Sequence, residues 1–155
     1  MVLMEELYRM PGHLIRRAQQ ISTALFAAEC AAFDMTSVQY AALMMIGANP
    51  GIDATRLSAL IAFDRSTLGD VLERLETKGW ILRGPGPEDR RVKVLTLSDA
   101  GVALLGEVTP AVRRVQERLL APLAPEDRAT MIRLLGELAD LHNEATAAPL
   151  RKASA

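Results

Sequence analysis

One stretch limits what this chain can fold into more than any other. Residues 64–83 read Asp-Arg-Ser-Thr-Leu-Gly-Asp-Val-Leu-Glu-Arg-Leu-Glu-Thr-Lys-Gly-Trp-Ile-Leu-Arg. Gly-Pro-Gly-Pro-Glu-Asp-Arg-Arg follows over 84–91, then Val-Lys-Val-Leu-Thr-Leu-Ser-Asp-Ala-Gly over 92–101. Asp64 is a helix cap, because a short carboxylate accepts from the free N–H groups of a first turn. Leu68, Val71, Leu72 and Leu75 fall at i, i+3, i+4 and i+7, so they share one apolar face. Arg65, Ser66, Thr67, Asp70 and Arg74 are left on or near the outer side. Lys78-Gly79 is a helix stop. Trp80–Arg83 and Val92–Leu97 are short β-prone runs around a Gly/Pro tip that carries Asp89, Arg90 and Arg91, with Lys93 behind.

The flanking sequence supplies more helices. Residues 13–32 have Leu14, Ile15, Ala18, Ile21 and Leu25 at helical spacing, and Pro11 suits a first turn. Residues 1–10 form a separate arm or short helix. Thr36-Ser37-Val38-Gln39 is a capping box opening a helix through Tyr40, Leu43, Met44 and Ile46, which Asn49-Pro50-Gly51 ends. Asp53 caps a short helix over 54–61, and Asp64 follows so closely that the pair reads as a helix-turn-helix. Ser98 caps a long helix that Pro110 should kink. Pro122 and Pro125 mark a break before a last helix striped with Met131, Leu134, Leu135, Leu138 and Leu141. The expected fold is mostly α with a small β-wing (α+β). A winged helix-turn-helix spans 35–98, a helical dimerisation region spans 1–34 and 99–147, and 148–155 is a frayed tail.

Composition decides two points. Half of the 155 residues are hydrophobic and only 4% are aromatic, which favours a helical core over disorder. The formal net charge is −1, so contact with a polyanion must rest on local patches. The single cysteine, Cys30, excludes an internal disulfide and a thiolate cluster, and two histidines are too few for a His-rich metal site. Neither a metal nor a cofactor is expected. With no basic-then-apolar leader and no run of 18 apolar residues, a cytoplasmic place and no membrane partner are expected.

The order and spacing of Asp64-Arg65-Ser66-Thr67, Leu72-x-Arg74-Leu75-x-x-Lys78-Gly79-Trp80-Ile81, Asp89-Arg90-Arg91 and Leu97-x-x-x-Gly101 resemble the MarR family of bacterial transcriptional regulators. The resemblance covers nearly the whole chain. It implies a dimeric winged helix-turn-helix repressor or activator that a small molecule releases from DNA. The tip Gly84-Pro85-Gly86-Pro87 departs from a plain Gly/Ser wing and is stiffer. The segment Tyr8–Arg17 is also similar to a branch that senses aromatic acids from catabolic pathways.

Each candidate residue has a plain and a sharp reading. Ser66, Thr67, Arg65, Asp70 and Arg74 are either capping and solvated surface or contacts to base edges and phosphates. Asp89, Arg90, Arg91 and Lys93 are either exposed charge or a minor-groove insert. The family's Asp-x-Arg pattern favours Arg91, with Asp89 orienting its guanidinium. His13, Arg16, Arg17 and Gln20 share one helix face, as solvated polar residues or as a clamp for a carboxylate effector. Tyr40 and Met44 are core residues or the apolar wall for its ring. Cys30 is a buried thiol or a peroxide sensor, and Glu29 beside it would blunt its reactivity.

These residues point to a repressor of an aromatic-compound catabolic or efflux operon. It would bind a palindromic duplex operator as a homodimer and be released by a small aromatic carboxylate. The alternatives are a winged-helix protein-interaction module and a cysteine-based redox regulator. No nucleophile–base pair or phosphate loop suggests an enzyme.

Overall fold

The computed structural model describes residues 2–152. Helix α1 (Val2–Arg9) precedes α2 (Pro11–Glu29), and a single 3-10 turn (Ala31–Phe33) leads to α3 (Ser37–Ala48). Strand β1 (Ile52–Asp53), helices α4 (Ala54–Ile61) and α5 (Arg65–Thr77), and strands β2 (Ile81–Pro85) and β3 (Lys93–Leu97) follow. Two long helices, α6 (Asp99–Leu120) and α7 (Pro125–Leu141), come last before a second 3-10 turn (Asn143–Ala145).

The caps form as the sequence dictates. Thr36 Oγ1 accepts from Gln39 N at 3.2 Å, while Gln39 Oε1 accepts from Thr36 N at 3.1 Å. Asp53 accepts from Arg56 N at 2.8 Å to start α4, and Asp64 accepts from Thr67 N at 3.0 Å to start α5. Ser98 accepts from Gly101 N at 3.0 Å, and its hydroxyl donates to Gly79 O at 2.5 Å. One serine thus joins the exit of α5 to the entry of α6.

Leu68, Leu72 and Leu75 of α5 are fully buried against Leu43, Ile46 and Leu57 of α3 and α4, and Ile81 and Leu95 close the core from the sheet. The sheet has the order β1-β3-β2 and is antiparallel, with Ile81 opposite Leu97 and Pro85 opposite Lys93. α2 packs along α6, where Phe26 meets Val108, Val112 and Val115 in the core, and Glu29 bridges Arg114 at 3.0 Å and Arg118 at 2.9 Å.

Three details differ from the sequence reading. The helix expected over 13–32 ends at Glu29, since the chain turns through the 3-10 segment and Asp34 (φ 47°) to bring Met35 into the core. β1 was not foreseen. Ile52 and Asp53 pair with Leu95 and Val94, so Asp53 serves both the sheet and the cap. α6 is one helix through Pro110, which is compatible with the expected kink, and buried Val108, Ala111 and Val112 hold it on both sides of the missing N–H. The chain expected to fray after Ala147 is tethered. Asn143 brackets Leu150, accepting from its N at 2.8 Å and donating to its O at 3.0 Å, and Arg151 N donates to Ala59 O of α4 at 2.8 Å. Residues 153–155 of the expected tail lie outside the described ones.

α7 behaves unlike the rest. None of its residues is buried, and Met131, Ile132, Leu134, Leu135, Leu138 and Leu141 all stand exposed. Burying one such side chain stabilises by about 1.5–3 kcal/mol, so an apolar stripe left in water across a whole helix marks an interaction face.

Candidate nucleic-acid interface

The first turn of α5 is built around one carboxylate. Asp64 takes bonds from Thr67 N, from Thr67 Oγ1 at 3.0 Å and from the Ser66 hydroxyl. These bonds, led by that of Ser66, hold the Asp64 carboxyl below its usual range. Both hydroxyl protons point back to the cap, so the oxygens face outward as acceptors. An acceptor suits the amino groups of adenine or cytosine, whereas a phosphate needs a donor. Asp70, Glu73 and Arg74 line the exposed face further along α5.

β2 and β3 carry the second element. Gly86 N donates to Val92 O at 2.7 Å and Val92 N to Asp89 O at 3.1 Å, which closes the tip. A side chain at Gly86 would lie 2.8 Å from Asp89 O, so the turn has no room for one. Asp89 grips Arg91 three times: from its backbone N at 3.0 Å, from Nε at 3.1 Å and from Nη2 at 3.0 Å. Those bonds also hold the Asp89 carboxyl low. The Arg91 side chain is nevertheless 91% exposed, so its guanidinium is aimed and still accessible. Arg90 is exposed at the same tip.

Between the start of α4, the start of α5 and the wing runs an open groove. Arg65, Arg91 and Lys93 border it, as do Thr55 and Arg56 of α4 and Arg83 of β2. The sequence reading missed the last three. Arg56 follows its cap by three residues on a helix whose apolar face was clear, and that signal would have placed it outward. Arg83 is braced by Glu76 at 3.3 Å. Lys78, at the end of α5, bridges Asp34 at 3.1 Å and lies 4.6 Å over the Trp80 ring, which fixes α5 to the α2–α3 connection.

The second candidate cluster is divided in space. Arg16 Nη2 donates to His13 Nδ1 at 3.4 Å, and the His13 ring lies 5.8 Å from that of Tyr8. With Nδ1 accepting, the ring proton belongs on Nε2, and that atom is shielded from water and unpartnered. Arg17 and Gln20 are exposed on the same helix. Met44, by contrast, borders a cleft between α3 and α6 with Leu97, Leu105, Thr109 and Arg113, and no α2 residue reaches it. Tyr40 hydroxyl bonds Thr109 Oγ1 at 3.4 Å and packs against the core. Cys30 is 1% exposed, and burial first, then Glu29, pushes its thiol pKa up. Among the described residues no His/Cys/Asp/Glu group could hold a metal, and no helix is long and apolar enough to cross a membrane.

Residues 35–93 match the model of the MarR family. The chain is 30% identical over 129 residues to the transcriptional repressor NicR of Pseudomonas putida, covering 83% of this chain and 82% of that one. It belongs to the MarR family. Among solved MarR-type structures, it matches the repressor CouR bound to a 23-mer DNA duplex with a TM-score of 0.82 at 30% identity, over 88% of this chain and 96% of that one. It matches BpsR of Bordetella bronchiseptica, whose DNA binding is regulated by 6-hydroxynicotinic acid, with a TM-score of 0.81 at 27% identity over 85% and 94%. The chain is a MarR-family, DNA-binding transcriptional regulator, and homodimers are typical of that family.

Proposed function

We propose that this regulator is a cytoplasmic repressor that grips a palindromic operator as a homodimer and leaves it when a small aromatic carboxylate binds. One observation supports the DNA half of this reading above the others. Arg65 at the start of α5 and Arg91 and Lys93 of the wing border one groove. A helix in the major groove and a guanidinium in the adjacent minor groove fit a duplex, which presents both surfaces side by side. Arg90, Ser66, Thr67, Asp70 and Arg74 complete the contact face, and Asp89 positions Arg91. Fluorescence anisotropy with the DNA upstream of its own coding sequence tests this. Tight binding that survives excess scrambled duplex supports site recognition, and equal binding to both duplexes overturns it.

The likeness to BpsR favours an aromatic acid as effector. In this reading Arg16 and the unpartnered Nε2–H of His13 hold the carboxylate and Arg17 and Gln20 flank it, while Tyr40 and Met44, which stand apart from α2 in the free protomer, reach the ring only if α2 and α3 close on the ligand. The α3–α6 cleft offers Arg113 as a rival cation. Release needs the acid to prefer the DNA-free conformation, and a near-complete switch needs a difference of about 5.5 kcal/mol. Calorimetry with 6-hydroxynicotinate should show that Arg16→Ala loses binding and Arg113→Ala keeps it. The opposite pattern moves the clamp to the cleft.

A further inference from the structure

The chain between α7 and residue 152 crosses from the dimerisation helices to the DNA-binding lobe. It is held at three points. Asn143 brackets Leu150 on both backbone groups, Arg151 N donates to Ala59 O, and the Arg151 guanidinium pairs with Glu144 at 2.5 and 2.8 Å. These bonds set the strap against α4, where Arg151 and Lys152 border the same groove as Arg56, Arg65, Arg91 and Lys93. Lys152 has no partner among the described residues, and Asp53 is the groove's only acid, its carboxylate already taken by the Arg56 N–H.

Asp89, Glu144 and Glu76 pair with Arg91, Arg151 and Arg83, which leaves Arg56, Arg65, Lys93 and Lys152 without an ion-pair partner among the described residues, and like charges left unpaired on one groove favour an anion between them. The net charge of −1 makes the concentration local, since no general basic field accounts for it. We propose that the C-terminal strap is a third DNA-contacting element beside α5 and the wing, with Lys152 bonding a backbone phosphate that flanks the base-read segment. Arg151 is the positioning residue. Its guanidinium is engaged with Glu144 and its backbone with α4, so it sets where Lys152 stands. The partner is the sugar–phosphate backbone and not a base edge, because a lysine on a backbone tether meets a repeating anion in any sequence.

This inference rests on the DNA-binding reading above, and the experiment separates the two. Affinity is measured over a series of salt concentrations for two duplexes of about 30 base pairs, three helical turns. One comes from upstream of the coding sequence, and the other is its scrambled counterpart. Each phosphate contact adds about 0.9 to the slope of log affinity against log salt. Lys152→Ala should therefore lower that slope by about one per protomer, about two in a dimer, on both duplexes alike. Lys152→Glu should lower affinity further. Asn143→Ala, which unlatches the strap without touching a cation, should reproduce part of the loss. Lys152 makes no internal bond, so Lys152→Ala should melt with the unaltered chain. A Lys152→Ala slope equal to that of the unaltered chain on a duplex the chain does bind overturns the strap alone. Failure of the unaltered chain to bind either duplex at low salt overturns the DNA-binding reading, and the strap with it.

Discussion

At the residue scale, Gly101 shows how little freedom the lobe leaves. A Cβ on Gly101 would lie 2.0 Å from Trp80 O, far inside contact distance. That carbonyl is the acceptor for Ser98 N at 3.1 Å, so the backbone cannot retreat without opening the β3–α6 junction. Gly101→Ala should cost about 2–4 kcal/mol by forced overpacking, seen as a lower urea midpoint with an unchanged slope. A midpoint within error of the unaltered chain removes this packing argument. At the wing the expected result is the reverse. Arg91→Ala should leave melting unchanged, because the side chain is exposed, and weaken operator binding by about 1–3 kcal/mol. Asp89→Ala frees the same guanidinium without removing it, so its loss of affinity should be smaller than that of Arg91→Ala. A larger loss would mean that Asp89 holds the hairpin tip and not only the arginine.

At the element scale, the caps and stripes were legible because each rests on contacts within one turn. Thr36, Asp53, Asp64 and Ser98 all cap where their spacing places them. Features that depend on distant partners were not legible. β1 is two residues long and exists because β3 lies beside it. The strap depends on Asn143 meeting Leu150 and on Ala59 facing Arg151, and no local pattern encodes that meeting. The helix-to-wing groove was half legible: its arginines on α5 and the wing stood out in the sequence, and Arg56 and Arg83 did not. Hydrogen-bonded carboxylates contribute to the acid limit of these elements, Asp64 and Glu29 among them beside Asp89 and Glu144. Hydrogen bonds from Ser66 and Thr67 hold Asp64 below 3.8, and those from Arg114 and then Arg118 hold Glu29 below 4.5. A depressed folded value means that the folded state favours the ionised form. Its contribution is complete above the ordinary value and is lost as pH falls through the lowered one. The melting temperature should stay level from neutral pH to about 4.5 and drop below it. Glu29→Gln should start lower at neutral pH and fall less steeply. Parallel pH profiles for the two proteins would rule out the α2–α6 bridge as a source of the acid loss.

At the scale of the whole molecule, the decisive fact is that α7 has no buried residue. Leu134 is 51% exposed and Leu138 is 44% exposed on a helix that a single protomer does not otherwise need. Leu14 and Ile21 of α2 and Leu3 and Leu7 of α1 are also exposed, so both chain ends present apolar surface. If the protein worked as a monomer, placing an aspartate at Leu134 or Leu138 would put a charge into water, which costs little. If those leucines meet a second copy, the same change buries a carboxylate with no partner and should split the pair. The two states therefore predict opposite outcomes for Leu134→Asp with Leu138→Asp. Sedimentation should give a dimer for the unaltered chain at micromolar concentration and a monomer for the double variant, with the helical circular dichroism of the DNA-binding lobe retained. The variant should also lose operator affinity. Two recognition helices about 34–36 Å apart engage half-sites one turn apart, and a lone lobe forfeits the gain from binding both together. A double variant that stays dimeric and holds its operator would place the interface elsewhere, and one that is monomeric yet binds as tightly would dismiss the two-fold reading of the operator.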